Sequence, residues 1–223
     1  MNIIITILFS IIGLVTGYKI PDISNRIIEY KKRKKAFETN ESKELSSILK
    51  LLICLFNLAA WAATGLYIDN IIAALLIGIQ ITLGLIIAVI DINIRIIPNE
   101  LVLTLIILGI TFQTMIDFEL NNILGAIISM VAVMIIFTAV AGFMGFGKVG
   151  AGDVKLAGAI ALALGYPLII TAVGIMAIVL LTYILVGLAL KKIYLSTMLP
   201  LAPFLSAGYI LALLTIVLNV GFI

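Results

Sequence analysis

The sequence predicts an all-α polytopic membrane protein with about eight transmembrane helices and both termini outside. Of its 223 residues, 64% are hydrophobic and 11% are charged, whereas soluble domains are roughly 45–50% apolar and about 25% charged. Apolar runs recur along the chain, and their lengths are close to the roughly 20 residues that a helix needs to cross a bilayer. The 14 Lys and Arg residues all fall on one side of the alternating connections, and the positive-inside rule makes that side the cytoplasm.

Eight predicted spans follow one another in the sequence. The first lacks a basic leader region and a small-residue cleavage site, so we expect a retained span rather than a signal peptide. Pro98 has a fixed φ suited to a first helical turn, so the fourth span is expected to begin there. A tight turn at Tyr166-Pro167 joins the short sixth span to the seventh. The predicted spans are residues 3–18, 47–68, 71–90, 99–116, 122–143, 154–166, 168–190 and 200–222.

The chain divides into three predicted parts. Residues 1–18 form the first transmembrane helix, residues 19–46 a short basic cytosolic segment, and residues 47–223 a seven-helix core.

The run Lys31–Lys35 fits a juxtamembrane helix on anionic lipid, where each basic residue contributes roughly 1 kcal/mol. Three acids at helical spacing leave a second interpretation open, the docking of a basic peptide. These acids are Glu38, Glu41 and Glu44.

Composition narrows the available chemistry to carboxylates, lysines, hydroxyls and backbone groups. The sequence has no histidine, which excludes Ser-His and Cys-His nucleophile pairs and HExxH zinc sites. The single cysteine, Cys54, excludes a disulfide within the chain and a CxxC zinc site. We therefore expect no metal site.

Two aspartates end long apolar runs on the cytoplasmic side. Asp91 closes the third span, and Asp153 opens the sixth after a glycine-rich stretch. Acids at a membrane boundary are costly to keep there and are functional by default. The helix dipole disfavours a carboxylate at a helix end and favours one at a helix start, so the two acids are expected to differ in ionisation. One acid could then activate water while the other polarises a carbonyl. The same spacing also fits two solvated acids that merely end helices.

The residues beside the two acids are candidates for shaping the site. Gly150 and Gly152 lack a Cβ and can take φ > 0, so a second backbone could approach them closely. Lys155 either snorkels to headgroups or contacts a substrate carbonyl and tunes Asp153. The Pro98-Asn99 pair begins the fourth span on the same side of the membrane.

The motifs that carry these residues resemble the type IV prepilin peptidase family of GxGD membrane aspartyl proteases. Asp91 lies about six residues before Ile97-Pro98-Asn99, and Gly150-x-Gly152-Asp153-Val154-Lys155 follows. The stretch 199–205 is similar to the proline-rich opening of that family's last span. The similarity covers roughly residues 70–215, with the three motifs in the family's order and spacing.

The resemblance implies an endopeptidase at the cytoplasmic face of the cell membrane. Members of the family cut the short basic leader from type IV pilin-like precursors, after a glycine and before a hydrophobic helix. Asp91 and Asp153 match the family's two catalytic aspartates, which use water as the nucleophile and need no cofactor. The implied partners are a pilin-like precursor and the lipid bilayer. No nucleic acid is expected, and the oligomeric state is left open.

The sequence departs from many bacterial members in two respects. Residues 18–47 contain no cysteine, so the paired CxxC motifs of those members are absent. Many members also methylate the new N-terminus, and S-adenosylmethionine is expected here only if methylation is retained. The related archaeal preflagellin peptidases share the aspartate motifs and often lack such an N-terminal extension.

Two other functions compete with the peptidase interpretation. The first is a small ion- or proton-coupled transporter that uses Asp91 and Asp153 as ligands, since acids beside glycine-broken helices occur in transporters. Against it, both acids are predicted at one face rather than at the midplane, and the two halves show no visible repeat. The second is a non-catalytic assembly partner of a pilus or secretion machine.

Overall fold

Eight helices form in the part of the chain that the computed structural model describes, which is residues 3–35, 45–116, 120–144, 150–192 and 199–218. No strand occurs within these ranges, and each predicted span overlaps one helix. The all-α class is therefore confirmed. The helices are α1 (Ile3–Lys35), α2 (Ser47–Tyr67), α3 (Ile71–Ile94), α4 (Asn99–Ile116), α5 (Leu120–Met144), α6 (Ala151–Leu164), α7 (Leu168–Ala189) and α8 (Ala202–Val217).

Within the described ranges, five of these helices are long and apolar enough to cross a membrane. They are α1, α2, α3, α5 and α7. Helices α4 and α8 are apolar but shorter, and α6 has 14 residues. Several apolar helices of this length indicate a multi-pass membrane protein. The count of eight spans and the outward termini stay predictions.

Local sequence signals explain where several helices begin and end. The Ser46 side chain accepts a hydrogen bond from the Leu49 N–H and caps α2, and Asn70 caps α3 in the same way. These side chains satisfy N–H groups that have no partner inside the helix. The carbonyl of Pro98 accepts the first hydrogen bonds of α4, which confirms the predicted start. Gly165 ends α6 with φ 65°, a conformation that glycine adopts at little cost.

Helix α1 is longer than the predicted span 3–18. It has 33 residues and is about 50 Å long at about 1.5 Å per residue. The charged residues after Tyr18 lower the hydropathy, but the packed face does not stop there, because Ile20, Ser24 and Ile28 are all buried. The basic stretch therefore begins as a continuation of α1. The division into three parts stays a prediction, and residues 36–44, with the three acids, lie outside the described ranges.

The described helices divide into two compact units. The first unit comprises residues 1–96 and 213–223, and the second unit comprises residues 97–212. Each unit has its own close helix contacts.

In the first unit, α1, α2 and α3 pack around Trp61. A Cβ added at Gly13 of α1 would lie 2.6 Å from Trp61 Cβ, and one added at Gly78 of α3 would lie 2.7 Å from the Trp61 ring. Glycine is therefore required at both positions for the helices to approach this closely. Small residues at helix contacts are typical of membrane proteins, where lipid removes the hydrophobic drive for helix association.

A buried hydrogen-bond network joins the same three helices. Asn57 Nδ2 of α2 donates to the Gly13 carbonyl at 2.8 Å and to Thr16 Oγ1 at 2.9 Å. Thr82 Oγ1 of α3 donates to Asn57 Oδ1 at 3.0 Å and accepts from Trp61 Nε1 at 2.9 Å. Asn57 is fully buried, so the network satisfies polar atoms that have no contact with solvent.

In the second unit, α4 and α6 run parallel at close range. Gly109 of α4 lies directly against Ala163 near the end of α6, and Ile97, just before α4, lies beside Gly152 at the start of α6. The first turns of the two helices therefore share one end of the unit. Gly158 of α6 packs against α5 in the same close manner.

We expect Asn57→Leu to destabilise the first unit. The change removes three hydrogen bonds, and such bonds average about 0.6 kcal/mol each in membrane proteins, so a loss of about 2 kcal/mol is expected. Denaturant titration in detergent measures it. Thr138→Val is the control, because the exposed Thr138 hydroxyl bonds only to Met134 O of its own helix. Equal stability of Asn57→Leu and wild type would contradict the role given to the network.

Candidate functional site

Asp153 lies in the first turn of α6 and is held by the backbone before it. Gly150 is the N-cap residue, and its N–H donates to Asp153 Oδ2 at 3.0 Å. The Asp153 N–H in turn donates to the Gly150 carbonyl at 3.0 Å. This is the geometry of the acidic half of a capping box, in which a side chain at the third helical position returns to the N-cap N–H. The carboxyl is therefore fixed at the start of the helix.

Burial controls the ionisation of Asp153. The residue is half-buried and lies outside the five helices that are long enough to cross a membrane. Desolvation raises the pKa of Asp153 above its usual 3.8, and the hydrogen bond from the Gly150 N–H opposes this with a smaller effect. The helix start favours the ionised form through the Gly150 N–H, but the loss of water has the larger effect on the pKa of Asp153.

The two glycines of the GxGD stretch provide space rather than an unusual conformation. Gly150 is extended, with φ −73° and ψ 144°, and Gly152 is helical. Neither glycine therefore uses the φ > 0 conformation that is open to it. A Cβ at Gly150 would lie 3.1 Å from Asp153 Oδ2, so glycine makes room there for the carboxylate. A Cβ at Gly152 would make an ordinary contact of 3.4 Å with Ile97.

Other predicted site residues lie near Asp153 in the second unit. Because α4 and α6 are parallel and begin together, Pro98 and Asn99 lie at the same end of the unit as Asp153. Pro98 is buried, whereas Asn99 and Lys155 are exposed. The second lysine of the motif region, Lys148, lies outside the described residues. The structure thus supplies an acid, an exposed amide and an exposed cation near one end of a helix pair.

Asp91 lies in the first unit, in the last turn of α3, as predicted. It is only 4% exposed, so it is not the solvated helix-end acid that spacing alone left open. Its carbonyl accepts a hydrogen bond from the Arg95 N–H at 2.9 Å. Burying a carboxyl is expensive unless it is protonated or well paired, which is why such groups suit proton-transfer chemistry.

Sequence reasoning missed the role of Arg95 in ending α3. This exposed residue adopts the left-handed conformation, with φ 52°, at a position usually occupied by glycine. The conformation turns the chain out of α3 one turn after Asp91 and toward the start of α4. Such a cap is usually recognised in a sequence by its glycine, and here the position is occupied by an arginine.

The buried state of Asp153 predicts a pH-dependent stability. Because its folded-state pKa is raised, the folded chain holds the proton more tightly than the unfolded chain does. This tighter proton binding adds to the free energy of unfolding at pH values below the usual pKa of 3.8. The contribution is lost as the pH rises through the raised pKa of Asp153. Asp153→Asn should remove this fall in stability, measured by unfolding in detergent between about pH 4 and pH 7.

Asp22→Asn provides the control for this titration, since Asp22 is exposed on α1 and its replacement should leave the wild-type pH dependence in place. An Asp153→Asn protein with the wild-type pH dependence would show that another group is responsible.

Comparison with known proteins links this site to a family. The model of the type IV leader peptidase family matches residues 78–191, slightly more than half of the chain. The matched range contains both aspartates and all the other predicted site residues. Those others are Pro98, Asn99, Gly150, Gly152 and Lys155. Searches of curated proteins and of solved structures found no match.

Proposed function

The chain belongs to the type IV leader peptidase family, and we propose that it is an aspartic-type endopeptidase that removes the short basic leader of type IV prepilin-like precursors. Membership of the family makes the chain a peptidase. One structural observation carries the assignment to the aspartic type: the Asp153 carboxyl is half-buried and held at a helix start by the Gly150 N–H. A second acid, Asp91, is buried in a helix end within the same family match.

The proposed reaction is addition of water to the scissile peptide bond. One aspartate of the pair takes a proton from water as the water oxygen bonds to the carbonyl carbon. The other aspartate, protonated, gives its proton to the carbonyl oxygen and forms a tetrahedral diol. The diol then collapses: one hydroxyl returns its proton to the second aspartate, the C–N bond breaks, and the leaving amine takes the proton that the first aspartate had received from water. Two acids that share a site share one proton, so the pair is expected to titrate as a unit.

Five accessory residues are proposed to line the site. Gly150 and Gly152 keep the start of α6 free of side chains, so that a substrate backbone can lie against it. Asn99, which is exposed at the start of α4, offers an amide to a peptide group. Lys155 offers a cation near the carboxyl of Asp153, and the buried Pro98 fixes the start of α4.

The proposed location is the cell membrane, with the active site facing the cytoplasm and both termini outside. The distribution of all 14 Lys and Arg residues on one predicted side supports this orientation. The substrate's leader is cut next to a hydrophobic helix, so its scissile bond would lie at the membrane boundary. We expect both acids at that depth, because each lies at the end of an apolar run of the sequence.

The proposed cleavage uses no metal or cofactor. Among the described residues, no group of three His, Cys, Asp or Glu side chains is placed to hold a metal ion. Methylation of the product by S-adenosylmethionine is not included in the proposal, because no described residue identifies a site for that cofactor. The transporter alternative finds no support, since both acids lie in terminal turns of their helices.

Replacing either aspartate is expected to abolish cleavage. Asp91→Asn and Asp153→Asn should each lower the rate by at least about a thousandfold, because the pair works as a unit. The assay follows the gel shift of a short-leader pilin precursor in detergent. Asp22→Asn should cleave like wild type and is the matched control, since Asp22 is exposed on α1. Cleavage by either active-site variant at the wild-type rate would contradict the aspartic mechanism.

The two glycines are expected to respond differently to the same small change. Gly150→Ala places a methyl group 3.1 Å from Asp153 Oδ2 and should disturb the carboxyl, which lowers the cleavage rate by about tenfold if one hydrogen bond of about 1.4 kcal/mol is lost. Gly152→Ala has room beside Ile97 and should lower the rate less. The same gel assay compares them. A larger loss in Gly152→Ala would reverse the roles that the geometry gives to these positions.

A further inference from the structure

An open groove runs along the C-terminal half of α7 in the second unit. The described residues that line it all belong to this helix, and its volume is about 500 Å³. Lys192 lies at one end, and the Thr182 hydroxyl along the groove already donates to the Ile178 carbonyl at 2.7 Å. The groove therefore offers an apolar surface that ends at a cation. Its aliphatic and aromatic lining residues include Ile178, Val179, Tyr183, Val186 and Leu190.

The groove continues the face of α7 that packs inside the unit. Ala172 lies directly against Gly208 of α8, and the Tyr183 ring meets Phe204 edge-on, with the ring centroids 5.3 Å apart. Tyr183 is three helical turns beyond Ala172, so both lie on one face of α7. Phe204 is in the first turn of α8. Helix α7 therefore extends beyond the start of this neighbour, and the groove follows the same face to Leu190.

The backbone holds two lysines at the end of the groove. Helix α7 ends in a Schellman motif, in which the Lys191 N–H donates to the Leu188 carbonyl at 3.0 Å and the Lys192 N–H to the Gly187 carbonyl at 2.9 Å. Lys191 takes the left-handed position of this motif, with φ 55°, where glycine is usual. Both lysines are exposed, and neither forms an ion pair with a residue that the structure describes. Both can therefore pair with an anion from outside the chain.

The dimensions of the groove suit one hydrocarbon chain. From Ile178 to Leu190 it follows α7 for about 18 Å at about 1.5 Å per residue, close to the roughly 15 Å of hydrocarbon in one leaflet. A volume of about 500 Å³ over this length gives a cross-section of about 28 Å², roughly a third of that of a helix about 10 Å wide. A helix is therefore too wide for the groove, whereas a single extended chain is not.

We propose that the groove binds one anionic phospholipid, with an acyl chain along α7 and the headgroup phosphate at Lys191 and Lys192. Lysine binds phosphate as a point charge, and basic residues beside a transmembrane helix attract anionic lipids of the cytoplasmic leaflet. The predicted orientation places this end of α7 in that leaflet. The proposal goes beyond the proposed function and does not depend on peptidase activity.

The test measures lipid affinity without using cleavage. The full chain in detergent is titrated with phosphatidylglycerol or with phosphatidylcholine of the same acyl chains, and native mass spectrometry follows the first bound lipid. The wild type should bind phosphatidylglycerol at least about tenfold more tightly, because two lysines each contribute about fivefold. Glycerol 3-phosphate, which carries the headgroup charge without a chain, should not displace the lipid.

Two pairs of variants separate the charge from the groove. Lys192→Gln should weaken phosphatidylglycerol binding about fivefold and leave phosphatidylcholine binding unchanged. Lys50→Gln is its control, since Lys50 is exposed at the start of α2, away from the groove. Val186→Trp should fill the groove and weaken the binding of both lipids. Leu185→Trp is its control, because Leu185 is exposed and does not line the groove.

Four results would overturn the proposal. Equal affinity for the two lipids, or wild-type affinity in Lys192→Gln, would remove the recognition of charge. Wild-type lipid affinity in Val186→Trp would remove the groove as the site. Displacement by glycerol 3-phosphate would show an anion site that needs no acyl chain. A raised KM for the precursor in Val186→Trp, with lipid affinity unchanged, would assign the groove to the substrate instead.

Discussion

Helices in lipid associate only where they approach closely and satisfy each other's polar groups, and the first unit depends on this constraint. Trp61 fits against Gly13 and Gly78, and the fully buried Asn57 bonds to α1 and α3. These contacts set the depth and rotation of α3. Asp91 lies further along the same helix, in its last turn, and is buried.

The second unit positions its acid by a different use of glycine. Gly109 allows α4 and α6 to run side by side, so that both helices begin at the same end. At that end Gly150 leaves room for the Asp153 carboxyl, which then caps the helix that carries it. Partial burial of the carboxyl raises its pKa, and the hydrogen bond that holds it, from the Gly150 N–H, opposes this rise with a smaller effect.

Among the described residues, hydropathy predicted the helices well where a cap or a proline bounds the apolar run, as at Ser46, Asn70 and Pro98. It placed the end of α1 too early, since Lys19, Asp22 and Arg26 reduce the mean hydropathy while the buried face continues. The two aspartates were evident as acids at the ends of apolar runs. The direction of the pKa shift of Asp153 could not be predicted from its position at a helix start alone, because desolvation depends on tertiary packing.

The proposed mechanism requires Asp91 and Asp153 to act on one water molecule, and cross-linking tests this requirement without depending on the choice of substrate. Asp91→Cys and Asp153→Cys are combined in a Cys54→Ser background, which removes the only native thiol, and treated in membranes with a short bifunctional thiol reagent. The proposal predicts an intramolecular product that consumes both thiols, measured by mass spectrometry. A pair of Asp69→Cys and Asp153→Cys should give none. Two thiols that each react singly but never with one linker would contradict a shared site.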